Sequence, residues 1–361
     1  MVSLQAAQFT QSKHHMAYRF KLDEPFDKGF RRIAREQLDR TIAELTDGHV
    51  APSGIHESRK ALKRLRALLR LAAPAIGDKA FARRNRALRR IARLLSGSRD
   101  AAVIAETLDG LVATTQPGAA ALDAARDLLN TPDAGRAVTL DADIAETARV
   151  LLLKEARQFV HLPFKGKTFA AVHGGLEHSY REARKTLRAA YKTPSDDGFH
   201  DLRKTVQWHW RHMTLLSRAW PDAFATRVSA ARELSQILGD DHDLAMLRHA
   251  VRTSEMLAEE HRAVIEDICL SKQAALRRAA EHRAHRLFAE PAGAFVRRIG
   301  LYWRFGPDIK AWPPEMFDRA AEAVEPAPAP AAGDLKVVTS PESAVELAAK
   351  TPGRSQSQRR A

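Results

Sequence analysis

Residues 54–71 read GIHESRKALKRLRALLRL, and two kinds of side chain recur through this stretch at helical spacing. The apolar positions are Ile55, Leu62, Leu65 and Leu69. The basic positions form a second row, rotated by one residue, or about 100°, around the helix axis. They are His56, Arg59, Lys63, Arg66 and Arg70. Because residues three and four apart share one face of an α-helix, the stretch predicts a helix with one face in a core. Its neighbouring face carries a continuous line of cations.

The charge of this stretch matches the charge of the whole chain. Cations at helical spacing repel one another and lower the stability of a helix. The whole chain of 361 residues is also basic, with a formal net charge of +14 at pH 7. Such an excess says more about partners than about fold, and it indicates nucleic acid, an anionic membrane or another polyanion. We therefore expect a polyanion to lie against the basic face.

The composition predicts a helical protein with a core of ordinary size. Hydrophobic residues make up 45% of the chain and aromatic residues only 6%, which together with many Ala, Leu and Arg residues favours helices over sheets. Cys269 is the only cysteine, so no internal disulfide and no cysteine metal cluster are expected. The first residues lack the apolar segment of a secretory signal, and no apolar run is long enough to span a bilayer. These features predict a soluble cytoplasmic protein.

Apolar periodicity predicts helices along most of the chain, and no stretch shows the alternating pattern of a strand. The predicted helices cover residues 26–45, 54–71, 81–95, 100–112, 144–159, 169–190, 199–216, 222–238, 243–257, 263–280 and 294–303, with a short helical piece after residue 118. Residues 1–19 are predicted to be a flexible leader. Residues 306–361, which include a run of Pro and Ala, are predicted to be a disordered low-complexity tail.

The helical part of the chain contains an internal repeat. The pattern I/F-H-x-x-R-K begins at residues 55 and 199, and the pattern L-x-x-x-x-D begins at residues 95 and 238. In each copy a basic helix led by histidine precedes a helix that ends in Leu, a turn, and a helix led by Asp. The repeat predicts two four-helix bundles, about 20–130 and 140–305, packed with pseudo-twofold symmetry that brings their basic faces together.

The residues of this repeat are similar to those of the CHAD domain, the conserved histidine α-helical domain family. The resemblance rests on H-x-x-R-K-x-x-K-x-x-R from His56, its partial copy from His200, the R-D and H-D pairs at Asp100 and Asp243, and AHRLFAEPAGAFVRRIGLYW from Ala284. It covers about residues 18–304. The resemblance implies an all-α fold of two four-helix repeats around a basic surface or pore. It also implies binding of inorganic polyphosphate, often at intracellular polyphosphate granules.

Two features depart from the family pattern. The second copy has Gln207 and Trp210 where the first has Lys63 and Arg66, so its half of the site is expected to hold phosphate less strongly or to rely on Arg211 and the basic residues of 181–188. A triphosphate-tunnel domain often precedes the family domain and is marked by E-x-E-x-K, a motif that this sequence lacks. The chain is therefore expected to be a stand-alone binding module.

The residues expected to bind polyphosphate come from four basic stretches. Arg contacts phosphate oxygens bidentately and Lys supplies a compact charge, so rows of both along a helix suit several consecutive phosphates. The two histidines that lead their helices are expected at the edges of the site, where they bind phosphate or orient the donors. The predicted set, expected to converge in one cradle, is His56, Arg59, Lys60, Lys63, Arg66, Arg83, Arg86, Arg90, Arg93, Arg181, Arg184, Lys185, Arg188, His200, Arg203, Lys204 and Arg211.

Two other groups of residues resemble chemical sites, but a structural role is favoured for each. Residues 240–243, Asp-Asp-His-Asp, resemble a metal-ligand cluster, yet only the last Asp has a counterpart in the first copy. Helix capping by Asp100 and Asp243, or pairing of each with an arginine, is expected instead of metal binding. Tryptophans are expected to pack in the protein rather than to stack on bases. These are Trp208, Trp210, Trp220 and Trp303.

No motif for catalysis is found in the sequence. A Walker loop and a G-x-S-x-G motif are both missing, and phosphoanhydride cleavage normally needs carboxylates that hold a metal beside the basic residues. The protein is therefore expected to bind polyphosphate without catalysis, cofactor or metal, in the cytoplasm and at polyphosphate granules. Three alternatives stay open: a general nucleic-acid-binding protein, a polyphosphate phosphohydrolase, and a scaffold that recruits partners to granules through its tail. Whether the basic helices line a pore or an open groove also stays open.

Overall fold

The computed structural model describes residues 18–46, 50–95, 99–114, 118–129 and 140–306, without the side chains of residues 99–101 and 129. Within these ranges all regular structure is helical, which confirms the predicted all-α class. The α-helices are α1 (Phe26–Glu44), α2 (Pro52–Leu71), α3 (Ala73–Ile76), α4 (Asp78–Leu94), α5 (Arg99–Thr114), α6 (Ala119–Leu129), α7 (Ala142–Val160), α8 (Ala170–Lys192), α9 (Asp196–Leu216), α10 (Pro221–Thr253), α11 (Glu259–Leu287) and α12 (Ala292–Phe305). Residues 1–17 of the predicted leader, and the predicted tail beyond residue 306, lie outside the described residues.

One predicted helix break is absent. The prediction places a turn between Leu238 and Asp243, but α10 continues through these residues without interruption. Leu238, Gly239 and Leu244 are buried, so packing of this segment outweighs the cost of about 1 kcal/mol for a glycine inside a helix. The expectation that Asp243 caps a helix is therefore wrong. The matching Asp100 lies in the first turn of α5, and its side chain is outside the described residues.

A first group of helices consists of α1, α2, α4 and α7, which pack side by side. Their apolar stripes meet around Phe30, Leu65, Leu88 and Leu152, all of which are fully buried. Helix α7 belongs to this group, although the predicted division places it in the second repeat. The division into two repeats and their pseudo-twofold symmetry stay predictions.

A second group of helices packs against the first through α2. It contains α8, α9, the first half of α10, the last turns of α11, and α12. The approach of α8 to α2 is close because Gly175 has no side chain: a Cβ atom there would lie 2.0 Å from the backbone oxygen of Leu71. The contact of α9 with α2 places two basic helices, both predicted from the sequence, next to each other.

Helices α10 and α11 extend beyond this main core and build a smaller one. Their distal halves pack against α5 and α6 around the buried side chains of Leu108, Leu122, Leu247 and Ile265. The thiol of Cys269 is buried in the same cluster, and burial raises its pKa to about 11. None of the described helices combines the length and the apolar character needed to span a membrane.

Candidate functional site

The basic rows of α2 and α9 face each other across one groove. Its volume is about 320 Å³, α10 forms a third wall, and α5 contributes Val103. The other lining residues are Arg59, Lys63 and Arg66 from α2, His200, Arg203, Lys204, Gln207, Trp208 and Arg211 from α9, and His242, Asp243 and Met246 from α10. Two stretches that are far apart in the sequence thus supply cations to one place.

Packing of the apolar faces sets the orientation of the two basic helices. Leu69 of α2, and Leu202 and Val206 of α9, are fully buried, so the adjacent stripe of each helix turns toward the groove. Behind the groove, the Nε2 atom of His212 lies 2.9 Å from the backbone oxygen of Ala67. This hydrogen bond ties α9 to α2 and fixes the spacing of the two walls.

Half-buried arginines concentrate positive charge in the groove. Burial lowers the pKa of Arg211 to about 10, and repulsion from Arg64, Arg66 and Arg203 adds to this effect. Burial also lowers the pKa of Arg66, together with the nearby charge of Arg89. Both Arg66 and Arg211 remain protonated at neutral pH, and neither forms an ion pair with any described carboxylate. An anion in the groove would relieve this repulsion.

One carboxylate is found among the residues that line the groove. The Oδ1 atom of Asp243 lies 3.9 Å from Nη1 of Arg203, which confirms the prediction that Asp243 pairs with an arginine. A Cβ atom at Gly239 would lie 3.3 Å from Nη2 of Arg203, so the glycine leaves room for the guanidinium. In the ranges that the structure describes, no three His, Cys, Asp or Glu side chains form a group able to hold a metal ion.

Two histidines are stacked at one end of the groove. The ring centroids of His200 and His242 are 4.3 Å apart. Burial lowers the pKa of His242 to about 4, and the neighbouring His200, Arg203 and Lys204 contribute to the shift. Burial, then Lys204 and Arg203, also lower the pKa of His200, whose Nδ1 atom is buried without a hydrogen-bond partner among the described residues. Both rings are therefore neutral at pH 7 and able to donate a hydrogen bond to a bound anion.

The tryptophans differ in their surroundings. Trp208 lines the groove, and the guanidinium carbon of Arg70 lies 3.7 Å from its ring centroid. Trp210 and Trp303 are partly buried against the main core, as predicted. Trp220 is 44% exposed, although its ring touches that of Tyr302 at a centroid distance of 5.0 Å, so packing accounts for only part of its surface.

The predicted binding residues do not all share this groove. Arg83, Arg86, Arg90 and Arg93 line a separate trough between α4 and α7. The basic residues of α8 line neither cavity; these are Arg181, Arg184, Lys185 and Arg188. His56 and Lys60 of α2 also lie outside the groove lining. Convergence in one cradle thus holds for the rows of α2 and α9 and does not extend to α4 or α8.

Some of the predicted binding residues outside the groove form ion pairs with carboxylates on their own helix. Lys60 lies 2.8 Å from Glu57, and Arg181 is paired with Glu177 one turn earlier on the same helix. Within the groove, Lys204 is also paired, at 2.8 Å, with the exposed carboxylate of Asp201. Such pairs on a helix surface are worth only a few tenths of a kcal/mol, so a polyanion easily competes for them.

Val103 of α5, and His242 and Met246 of α10, line the groove although the sequence analysis did not predict them there. The predicted break near Gly239 separated His242 and Met246 from the preceding residues of the helix. If the stretch 234–247 is taken as one continuous helix, His242, Asp243 and Met246 share a face three and four residues apart. The seven-residue spacing of Ile237, Leu244 and Val251, which is about two helical turns, was the signal that favoured this alternative.

The comparison with protein families agrees with the helical architecture and with the sequence motifs. The model of the CHAD domain matches residues 32–252, more than half of the chain and most of the groove-forming helices. The chain belongs to the CHAD-domain family. Among solved structures, it is similar to the crystal structure of the CHAD domain from the plant Ricinus communis, with 18% identity and a TM-score of 0.46. That match covers 74% of this chain and 94% of the plant chain. No curated protein matches the sequence.

Proposed function

We propose that this CHAD-domain protein binds inorganic polyphosphate in the groove between α2 and α9. The supporting observation is the meeting of two cationic rows across one narrow groove. Polyphosphate carries about one negative charge per unit and offers acceptor oxygens on all sides, so donors on both walls reach it at once. The six cations of the groove are Arg59, Lys63, Arg66, Arg203, Lys204 and Arg211.

Two features favour polyphosphate over nucleic acid, the second candidate. The cations line the inner walls of a small groove, whereas duplex DNA carries its phosphates on a broad convex surface. Single strands usually need exposed aromatic platforms for their bases. Trp208 is the one Trp, Tyr or Phe side chain among the groove-lining residues, and the guanidinium of Arg70 covers one face of its ring, so successive bases would find no row of platforms there. A net charge of +14 would still attract nucleic acid without specificity.

A titration with long-chain polyphosphate, ATP and DNA at two salt concentrations tests the proposal. The groove variant combines Lys63→Gln with Lys204→Gln, and the control combines Arg278→Gln with Arg286→Gln, two exposed positions of α11 outside the groove. We expect polyphosphate to bind most tightly to the wild type and control, and more weakly to the groove variant. By analogy with single-stranded nucleic acid, six contacts give a salt slope of up to about −4. DNA binding that equals or exceeds polyphosphate binding would support the second candidate instead.

Binding without catalysis is part of the proposal. Asp243 is the one carboxylate among the groove-lining residues, and it lies within ion-pair distance of Arg203. Cleavage of a phosphoanhydride normally uses carboxylates that hold a metal next to the basic residues. We expect no release of orthophosphate from polyphosphate with Mg²⁺. Release that requires Mg²⁺ and is lost in Asp243→Asn would show that the protein is a phosphohydrolase.

In the cell, we place the protein in the cytoplasm at polyphosphate granules. If the groove binds polyphosphate, a fluorescent fusion of the wild-type protein should co-localise with the granules, and a fusion of the groove variant should not. The scaffold alternative concerns the tail: deletion of the residues after 306 would then leave binding to granules intact and remove the recruited partners. Loss of granule binding on that deletion would mean that the groove alone is insufficient.

A further inference from the structure

The trough between α4 and α7 is a second basic cavity of the described structure. Its volume is about 700 Å³, and no residue that lines it also lines the groove. Along one wall run four arginines of α4, spaced three, four and three residues apart, and Lys154 of α7 stands on the other wall. At 1.5 Å per residue the arginine row is about 15 Å long, which spans several consecutive phosphates. The row is Arg83, Arg86, Arg90 and Arg93.

A buried ion pair between Arg84 and Glu155 lies at the base of the trough, and its two charges compensate each other. Nη1 of Arg84 lies 3.0 Å from both carboxylate oxygens of Glu155, and the two side chains are only 9% and 7% exposed. This pair joins α4 to α7 and uses the one carboxylate that lines the trough. Arg83, Arg86 and Arg90 have no ion pair in the described part of the chain, so the trough keeps a strong positive charge.

The other flank of α4 reaches toward the groove. The Nε atom of Arg66, a groove residue, donates to Oδ1 of Asn85 at 3.1 Å. Arg89, one turn further along α4, is near enough for its charge to lower the pKa of Arg66. Arg86 and Arg93 follow Arg89 around the exposed surface of the helix, so cations continue from the groove across α4 to the trough.

We propose that the trough is a second polyanion site, which holds a separate segment of the polyphosphate chain already bound in the groove. The inference rests on the proposed function of the groove. Once one segment is bound, the second binds intramolecularly at a high effective concentration, so a chain long enough to cross α4 gains affinity without any new kind of contact. Short chains fill only one site. The trough therefore makes the protein selective for long polyphosphate.

The experiment compares tripolyphosphate with long-chain polyphosphate by titration calorimetry at one salt concentration. The trough variant combines Arg83→Gln with Arg90→Gln, two exposed side chains without ion pairs, so folding is not at risk. The groove variant and the charge-matched control are those used above. We expect the trough variant to lose long-chain affinity on the order of tenfold and to keep its tripolyphosphate affinity within about a factor of two.

Each other result overturns a distinct statement. If the trough variant and the control bind long chains equally, the arginine row is a solvated surface and the inference is wrong. If the trough variant loses tripolyphosphate as strongly as the groove variant does, the two cavities are not separate sites. If the groove variant binds both ligands like the wild type, the proposed function of the groove fails, whatever the trough does.

Discussion

The hydrogen bond between His212 and Ala67 links the two walls of the groove and makes a prediction about pH. His212 belongs to α9 and is fully buried where this helix packs against α2. Its Nε2 atom contacts the Ala67 oxygen at 2.9 Å, so the neutral ring donates from Nε2, while Nδ1 is buried without a partner among the described residues. Burial lowers its pKa from 6.5 to about 4, and the charges of Arg70 and Arg211 act in the same direction.

This shift determines the sign and size of the pH effect on stability. The folded-state pKa lies below the unfolded one, so on acidification the unfolded chain takes up a proton that the folded chain does not accept. The contribution of His212 is complete above pH 6.5 and is lost as the pH falls toward 4. Between pH 7 and pH 5, a shift from 6.5 to about 4 removes about 2 kcal/mol from the free energy of unfolding. That loss corresponds to a fall in Tm of roughly 5 °C.

The variant His212→Gln tests this assignment. An amide N–H of Gln can reach the Ala67 oxygen but does not titrate, so the pH dependence should decrease even if some packing is lost. Thermal unfolding of both proteins at pH 7 and pH 5 should show that the wild type loses about 2 kcal/mol more than the variant. His249→Gln, at an exposed position of α10, is the control and should retain the wild-type slope. Equal slopes for wild type and His212→Gln would refute the buried, neutral imidazole.

Three further predictions concern the helices around the groove. Gly175→Ala places a Cβ atom 2.0 Å from the Leu71 oxygen, so we expect a loss of about 3 kcal/mol in thermal unfolding; an unchanged Tm would contradict the close helix contact. Gly239→Ala should keep or raise Tm, because alanine favours a helix by up to about 1 kcal/mol, yet it should weaken polyphosphate binding a few-fold by crowding Arg203. Unchanged affinity in calorimetry would show that Arg203 adjusts freely. Bound phosphates should raise the pKa of His242 from about 4, so wild-type affinity should increase from pH 7 to pH 5, and less so in His242→Gln. Identical pH profiles would exclude this histidine from proton uptake.

Helical periodicity determined much of the architecture from the sequence. The basic helix α2, its partner α9 and the arginine row of α4 were all predicted, because the side chains that share a helix face are fixed by local spacing alone. The apolar stripe predicted for α2 is buried along its whole length, with at most 4% of any of its residues exposed; the stripe is Ile55, Leu62, Leu65 and Leu69. A local pattern also misled at Gly239, where glycine followed by acidic residues suggested a helix end. Burial of that segment, which depends on distant helices, kept α10 continuous.

Which cations face each other was decided by the tertiary structure. The sequence shows four basic rows. The repeated I/F-H-x-x-R-K pattern relates the rows of α2 and α9, but nothing in the spacing excludes the rows of α4 and α8 from the same cradle. The separation follows from long-range contacts: the missing side chain of Gly175, the bond from His212 to α2, and the packing of α7 against α4. Long-range packing also places His242 in the groove, because it keeps α10 continuous through residues 238–243. Local spacing determines the face on which a charge lies, whereas only the packing of helices distant in sequence determines what that face meets.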